Sequence, residues 1–532
     1  MTQQNIKQLE IELWEAADEL RANSKLTAGE YKEPLLGLIL LRFAENRYNE
    51  AKTQLTESLP INPRTKKRRE ATKDDFAAMG AMYLPEKAQY SYLATLPESE
   101  DLAEAVNTAM KLIEAEYEDL AGILPKNFQD LTPEDDTDSN LLANLIRIFN
   151  SDSVRNAKGD VFGRVYEYFL MKLSMMGAGA QEGGEFFTPP SLVQLIVNFI
   201  QPNHGIIHDP ACGSGGMFVQ TAHFIKEHEN KKVNEAITVY GTEYKSNTTK
   251  LAKMNLAIHG IEGKIANNNS FYSDPHELYG KCDFVMANPP FNVDKVDAKN
   301  KFLAEDSRLP FGAPLTGKGT IGNANYLWIQ YFMSYLNETG RAGFVMASSA
   351  TDAGNAEKRI REELIKTGNV DCIVSIGNNF FYTRSLPCHV WFFDKGKPKE
   401  NKDKILMIDA RNVFRKVTTT INDFSEDQLE GLTAIIALYR DEKALVPTDN
   451  VWFNDYFPDG TYRDVEGLCK IVSLEEVEEQ DYSLTPGRYV GVNIAVDMDF
   501  DYQSRMQELH SELASLNEDA NLLMNQIQAV KI

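Results

Sequence analysis

The sequence predicts an α/β protein, with a doubly wound, mostly parallel sheet set between an all-helical domain and a coiled-coil-like helical tail. Three observations carry this. Apolar residues recur at helical spacing from residue 5 to about 150. Short β-rich runs then alternate with helical patterns from about residue 155. An apolar seam with spacings of three and four fills the end of the chain. A length of 532 residues exceeds what one core usually supports, so several domains are expected. They are placed at 1–154 (helical), 155–420 (α/β), 421–500 (a C-terminal extension) and 501–532 (a docking helix).

In the first region Leu9, Leu13, Ala16, Ala17 and Leu20 share one helical face. The run 35–43 is apolar almost all round, which predicts a buried helix following Pro34. A further helix is expected over 103–120 and a short one through Leu141, Leu142, Leu145 and Ile146, after an acidic connector at 131–136. Strands are then predicted at 205–209, 237–243, 283–287, 343–347, 372–376, 390–393 and 405–408. Helices fill the gaps at 191–200, 217–226, 247–259, 325–336 and 356–366. That alternation indicates a parallel, doubly wound sheet. The interval 297–322, rich in Gly, Pro and charge, reads as a mobile functional loop. Met506, Leu509, Leu513, Leu516, Ala520, Leu523, Ile527 and Val530 form the terminal seam. Such a seam suits a helix packed on its own chain or on a partner, and its narrowness at a terminus favours a partner helix.

Hydrophobic and charged contents of 43% and 25% are ordinary for a globular protein. Neither a leader nor an uninterrupted apolar run of about 18 residues is present, so a cytoplasmic protein without membrane attachment is expected. Five dispersed cysteines without a C-x-x-C pair argue against disulfides and zinc. His223 and His228 lack the spacing of a zinc helix, so no metal is expected. The net charge of −23 opposes binding to a polyanion unless a basic partner helps. The one dense basic run, 64–69, suits a phosphate-contacting loop or a solvated surface segment.

Asn288-Pro289-Pro290-Phe291 closes the apolar run before it. Two prolines cannot donate to a sheet ladder, so the strand must stop there. The turn then offers an amide, free carbonyls and an aromatic ring, which suit a planar ring bearing an exocyclic amine. A plain proline-terminated strand is the competing reading.

Asp209-Pro210-Ala211-Cys212-Gly213-Ser214-Gly215-Gly216 joins a predicted strand to a predicted helix. Its glycines permit a tight turn and close approach of a ligand to backbone. No Gly-Lys-Ser/Thr follows, which excludes a nucleotide P-loop. The acid ahead of the glycines suits a cationic ligand such as S-adenosylmethionine better than a pyrophosphate, and a plain Gly-rich strand-to-helix turn is the competing reading. Glu243, ending the next strand, is placed to accept ribose hydroxyls.

Together these segments resemble the cofactor and target-base motifs of DNA amino-methyltransferases, in the order typical of the N6-adenine group. Gly184-Glu185-Phe186-Phe187-Thr188-Pro189-Pro190 resembles the segment that closes over the cofactor's methionine end. Over its whole length the chain resembles the modification (methyltransferase) subunit of type I restriction–modification systems. The resemblance implies a Rossmann-like S-adenosylmethionine-dependent domain and adenine-N6-specific DNA methylation. Glu185, Phe186, Phe187, Thr188, Pro189, Asp209, Pro210, Ala211, Gly213, Ser214, Gly215 and Gly216 would line the cofactor site, and Glu243 would hold its ribose. Asn288, Pro289, Pro290 and Phe291 would hold the flipped adenine. Asn269 stands where many relatives carry an acid near the cofactor's adenine, and 379–382 is a candidate second wall of the base site. The resemblance also implies DNA as substrate and two modification subunits per specificity subunit, sometimes joined by a restriction subunit. Cytosine N4 or a protein glutamine as methyl acceptor, and a non-catalytic scaffold, are the alternatives.

Overall fold

The computed structural model describes residues 3–22, 26–61, 68–131, 141–157, 160–176, 188–229, 231–381, 386–419 and 421–492, and residues 506, 510, 511, 513, 514 and 517. Thr27 opens the helix Ala28–Ser58 through a capping box. Its hydroxyl accepts from the Glu30 amide at 3.4 Å, and the Glu30 carboxylate accepts from the Thr27 amide at 2.9 Å. This helix therefore starts ahead of Pro34, not after it as its sequence suggests, and carries the proline in its second turn. The cap and burial together outweigh one missing N–H: Leu35, Leu36, Leu38, Ile39, Leu40 and Leu41 are at most 1% exposed. Helices Leu141–Phe149 and Asp160–Met176 pack against it, and the Tyr31 hydroxyl donates to Ala17 of Gln3–Ala22 at 2.8 Å. Leu251, Met254 and Ile258 of helix Ser246–His259 belong to the same apolar cluster. The helical region is thus packed on the α/β region rather than tethered to it.

The strands are β1 (Gly205–Asp209), β2 (Ile237–Glu243), β3 (Gly263–Asn267), β4 (Cys282–Ala287), β5 (Leu336–Ala347), β6 (Val370–Ile376), β7 (Cys388–Asp394), β8 (Lys404–Ala410), β9 (Arg415–Lys416), β10 (Asn422–Asp423) and β11 (Cys469–Ser473). Among the described residues, nine strands form one sheet in the order β11-β8-β6-β7-β5-β4-β1-β2-β3. β7 and β11 run antiparallel to their neighbours and the other seven run parallel, so seven carboxyl ends line one edge. The chain moves outward from β1 through β2 to β3, then returns to β4 on the other side of β1. That reversal is a topological switch point, the usual place for a ligand crevice in such sheets.

β3 and β11 lie outside the strands read from sequence. β3 is a polar edge strand in which only Ile265 is buried, so it lacks a strand's apolar signature. β11 pairs with β8 beyond residue 420. Helix Glu426–Arg440 likewise adds Leu432, Ile435 and Ile436 to the core that holds Phe392 and Leu406. The interval 297–322 is not a free loop. Arg308 within it is 1% exposed and pinned by the carboxylate of Asp306, the Tyr335 hydroxyl and the Ser270 carbonyl. All five cysteines are buried thiols. Among the described residues no helix is long and apolar enough to cross a membrane.

Residues 491–532 form a second unit. Met506 and Leu513 are helical there, and the other positions of the predicted seam lie outside the described residues.

Candidate active site

At the end of β1 the chain turns sharply through Gly213 (φ 53°) and Gly215 (φ 80°) into helix Gly216–Phe224. Both angles lie in the left-handed region that glycine tolerates without strain. The turn is gripped from several directions. Cys212 donates its amide to Thr242 of β2 at 3.0 Å, and the Gly213 amide donates to the Glu243 carboxylate at 3.1 Å. Asn255, on helix Ser246–His259, donates to the Ser214 carbonyl at 2.9 Å. Ser270, just past β3, donates to the Pro210 carbonyl at 2.6 Å.

Asp209 is 1% exposed and accepts from the Ala211 amide at 2.9 Å. Burial holds its carboxyl well above the usual carboxylate range; the Ala211 N–H opposes this and the neighbouring Glu243 carboxylate adds to it. A buried acid beside a second acid gains most from a cation. A side chain added at Gly213 or Gly216 would meet open space, so backbone there lines a cradle. Cradle and charge fit S-adenosylmethionine, whose sulfonium and ammonium are positive. Glu243 also accepts from the Lys245 amide at 2.7 Å, which fixes the carboxylate at the sheet edge. The Asn269 side-chain oxygen accepts from the Phe271 amide at 2.9 Å, closing a turn after β3.

The second turn leaves β4, which pairs with β1. Asn288 donates its amide nitrogen to the Thr188 hydroxyl at 2.9 Å. Thr188 and Pro189 lead into helix Pro190–Ile200, so the segment read as cofactor-covering meets the turn read as base-holding. Glu185, Phe186 and Phe187 lie outside the described residues. Pro289 is buried and Pro290 partly so. Phe291 is 8% exposed, with Phe381 edge-on at 6.2 Å between ring centroids. Phe380 instead packs into the core against Phe424 at 4.7 Å, and Tyr382 lies outside the described residues.

The structure adds residues that local patterns leave unmarked. Asn292 (φ 54°) donates its amide to the Asn325 side-chain oxygen at 2.9 Å, and Asn325 returns a bond from its nitrogen to the Asn292 side chain at 2.8 Å. Asn325 is 2% exposed at the start of a helix whose every residue is buried. A buried amide opening an apolar helix is the signal that could have revealed it. Arg308 supplies the other link: it holds the carbonyl of Ser270, whose hydroxyl holds Pro210.

Residues 157–497 match the model of N-6 DNA methylases, and residues 9–149 match that of HsdM N-terminal domains. The chain belongs to the N-6 DNA methylase family. It is 34% identical over 532 residues to the type I restriction enzyme MjaIX methylase subunit of Methanocaldococcus jannaschii, spanning 98% of this chain and 91% of that protein. The HindI methylase subunit of Haemophilus influenzae is also 34% identical, over 77% of this chain and 87% of its own length. Among solved structures, the type I methyltransferase subunit from Streptococcus thermophilus has a TM-score of 0.68 at 22% identity, covering 91% of this chain and 99% of its own. At that identity the likeness speaks for the fold.

Proposed function

We propose that this chain is the methyltransferase subunit of a type I restriction–modification complex, methylating N6 of an adenine flipped out of DNA. The observation that carries the reading is the adjacency of β1 and β4. The acid-glycine turn and the Asn288–Phe291 turn leave neighbouring parallel strands at the same sheet edge. A cation-binding crevice and an amine-binding turn therefore open side by side.

When bound, S-adenosylmethionine supplies an electrophilic methyl group on a positive sulfur. Asp209 and Glu243 attract its positive and hydroxyl-bearing groups, while Ala211, Gly213, Ser214, Gly215 and Gly216 present backbone to it. Adenine N6 is a poor nucleophile because its lone pair is delocalised into the ring. The Asn288 side chain and the Pro289 carbonyl accept the amine's hydrogens and orient it, which favours release of that lone pair toward an acceptor. Phe291 and Phe381 give the base an apolar wall, offsetting part of the cost of extrusion. Positioning and exclusion of water then do most of the work.

An acidic chain of −23 is suited to a complex in which a more basic subunit brings the DNA. We assign that role to a specificity subunit shared by two copies of this chain in the cytoplasm, with the 501–532 segment docking on it. Mixing the chain, with and without its specificity subunit, with unmethylated DNA and methyl-labelled S-adenosylmethionine tests this. Label should enter DNA only with both subunits present, and no transfer under either condition would refute the reading.

A further inference from the structure

Past the carboxyl end of β8 the chain forms a small two-stranded ribbon in which Lys416 pairs with Asn422 and Arg415 with Asp423. Arg415, Lys416, Val417, Thr418 and Thr419 are all exposed, Val417 by 54%. The ribbon is seated on the segment that walls the target-base turn. Asn422 donates its amide to the Asn379 carbonyl at 2.8 Å and its side-chain nitrogen to the Asn378 carbonyl at 3.0 Å. Phe424, next in sequence, packs on Phe380, and the adjoining Phe381 meets Phe291 edge-on.

The ribbon is locally basic within an acidic chain. Residues 411–423 hold Arg411, Arg415 and Lys416 against Asp423, three positive charges and one negative, or +2, within a chain of −23. Arg411 is paired with Asp409 at 2.5 Å and Arg415 with Asp423 at 3.4 Å, which leaves Lys416 the cation aimed at no carboxylate among the described residues. A ribbon of two strands fits a major groove, and lysine, arginine and threonine are the residues that hold phosphates. A base swung out of a duplex leaves its flanking phosphates close to the wall of the pocket that receives it.

We propose that this ribbon, through Lys416 and Arg415, contacts the DNA backbone flanking the extruded adenine. The inference rests on the methyltransferase reading above and adds to it a contact made by this subunit itself.

The test uses the full complex of this chain with its specificity subunit and sheared unmethylated genomic DNA as the probe. DNA affinity is measured across a salt series for wild type, Lys416→Ala and the Arg415→Ala/Lys416→Ala pair. S-adenosylmethionine affinity, melting temperature and subunit assembly are followed alongside. Each lost phosphate contact should flatten the slope of log affinity against log salt by about 1, and the pair should weaken binding about tenfold or more near physiological salt. Cofactor affinity and assembly should stay at wild-type values. Unchanged slope and affinity in variants of an active wild-type complex would overturn the ribbon assignment alone. Lost assembly at an unchanged slope would place the ribbon on a protein interface and likewise overturn it. A wild-type complex that neither binds nor methylates DNA would overturn both.

Discussion

The amide nitrogen of Asn288 donates to the hydroxyl of Thr188 at 2.9 Å, joining residues 100 positions apart. The bond fixes which end of the Asn288 side chain faces Thr188, and hence how its acceptor oxygen is presented. Thr188→Val keeps the shape but removes that acceptor. Its kcat should fall roughly ten- to a hundredfold, as expected for a misaligned reacting group. Thr188→Ser restores the hydroxyl and should recover most of the rate. Equal rates for the Val and Ser variants would show that the bond does not orient Asn288.

Asp209 gives a pH dependence with a definite sign. Burial, more than the nearby Glu243, holds its carboxyl well above the usual carboxylate range, so the neutral form persists to higher pH than in an exposed acid. Only the ionised form attracts a cation. Affinity for S-adenosylmethionine should therefore strengthen as pH rises above the ordinary carboxylate range and through the raised value. Folding stability runs the opposite way, because the folded state holds the proton more tightly and loses that advantage as pH rises. Asp209→Asn should flatten both trends and weaken the cofactor by about tenfold, about 1.4 kcal/mol. Calorimetric titrations at several pH values check this, and a pH dependence that survives in the variant would contradict it.

Much of this site was legible in the sequence because its chemistry is local. Consecutive prolines stop a strand wherever they occur, and Asp209 to Gly216 announces a strand-to-helix turn through its own glycines. Five predicted helices of the α/β region and most of its strands match the structure within a few residues for the same reason. What was hidden depends on distant partners. Nothing around Arg308 in sequence shows that Ser270 and Tyr335 will enclose it, so the interval 297–322 read as a loop. β3 was silent because an exposed edge strand needs no apolar pattern. The start of Ala28–Ser58 was misplaced because Pro34 dominated a capping box that lay in plain view.

Asn325 should act as a positioning residue for the base-binding turn. Its side chain both accepts from and donates to Asn292, immediately after Phe291. Asn325→Ala removes both bonds, with a stability cost of about 1–2 kcal/mol. Turnover should fall by more than that loss of folded protein accounts for, while cofactor affinity holds. Asn325→Asp keeps the acceptor for the Asn292 amide and should retain more activity than Ala. Thermal melts and kcat measured together separate the two effects, and a rate loss no greater than the unfolded fraction would contradict this role.

Arg308 braces the cofactor turn through the Ser270 carbonyl, the hydroxyl of the same residue holding Pro210. Its loss strands the Asp306 carboxylate, whose side chain is 3% exposed. Arg308→Ala should cost about 3–5 kcal/mol, the usual penalty for breaking a buried pair from one side. Lysine keeps the charge but cannot reach Asp306, Tyr335 and Ser270 at once, so Arg308→Lys should fold with an intermediate melting temperature and weaker cofactor binding. A lysine variant equal to wild type in both would show that charge alone suffices there.

We propose that Asn288 and the Pro289 carbonyl hold an adenine amine at the mouth of a cofactor crevice. Digesting DNA treated with the complex and S-adenosylmethionine, then identifying the methylated nucleoside by mass spectrometry, tests it most directly. Wild type should yield N6-methyladenine and Asn288→Ala none above background, with cofactor binding retained in the variant. N4-methylcytosine as the product, or undiminished N6-methyladenine from Asn288→Ala, would contradict it.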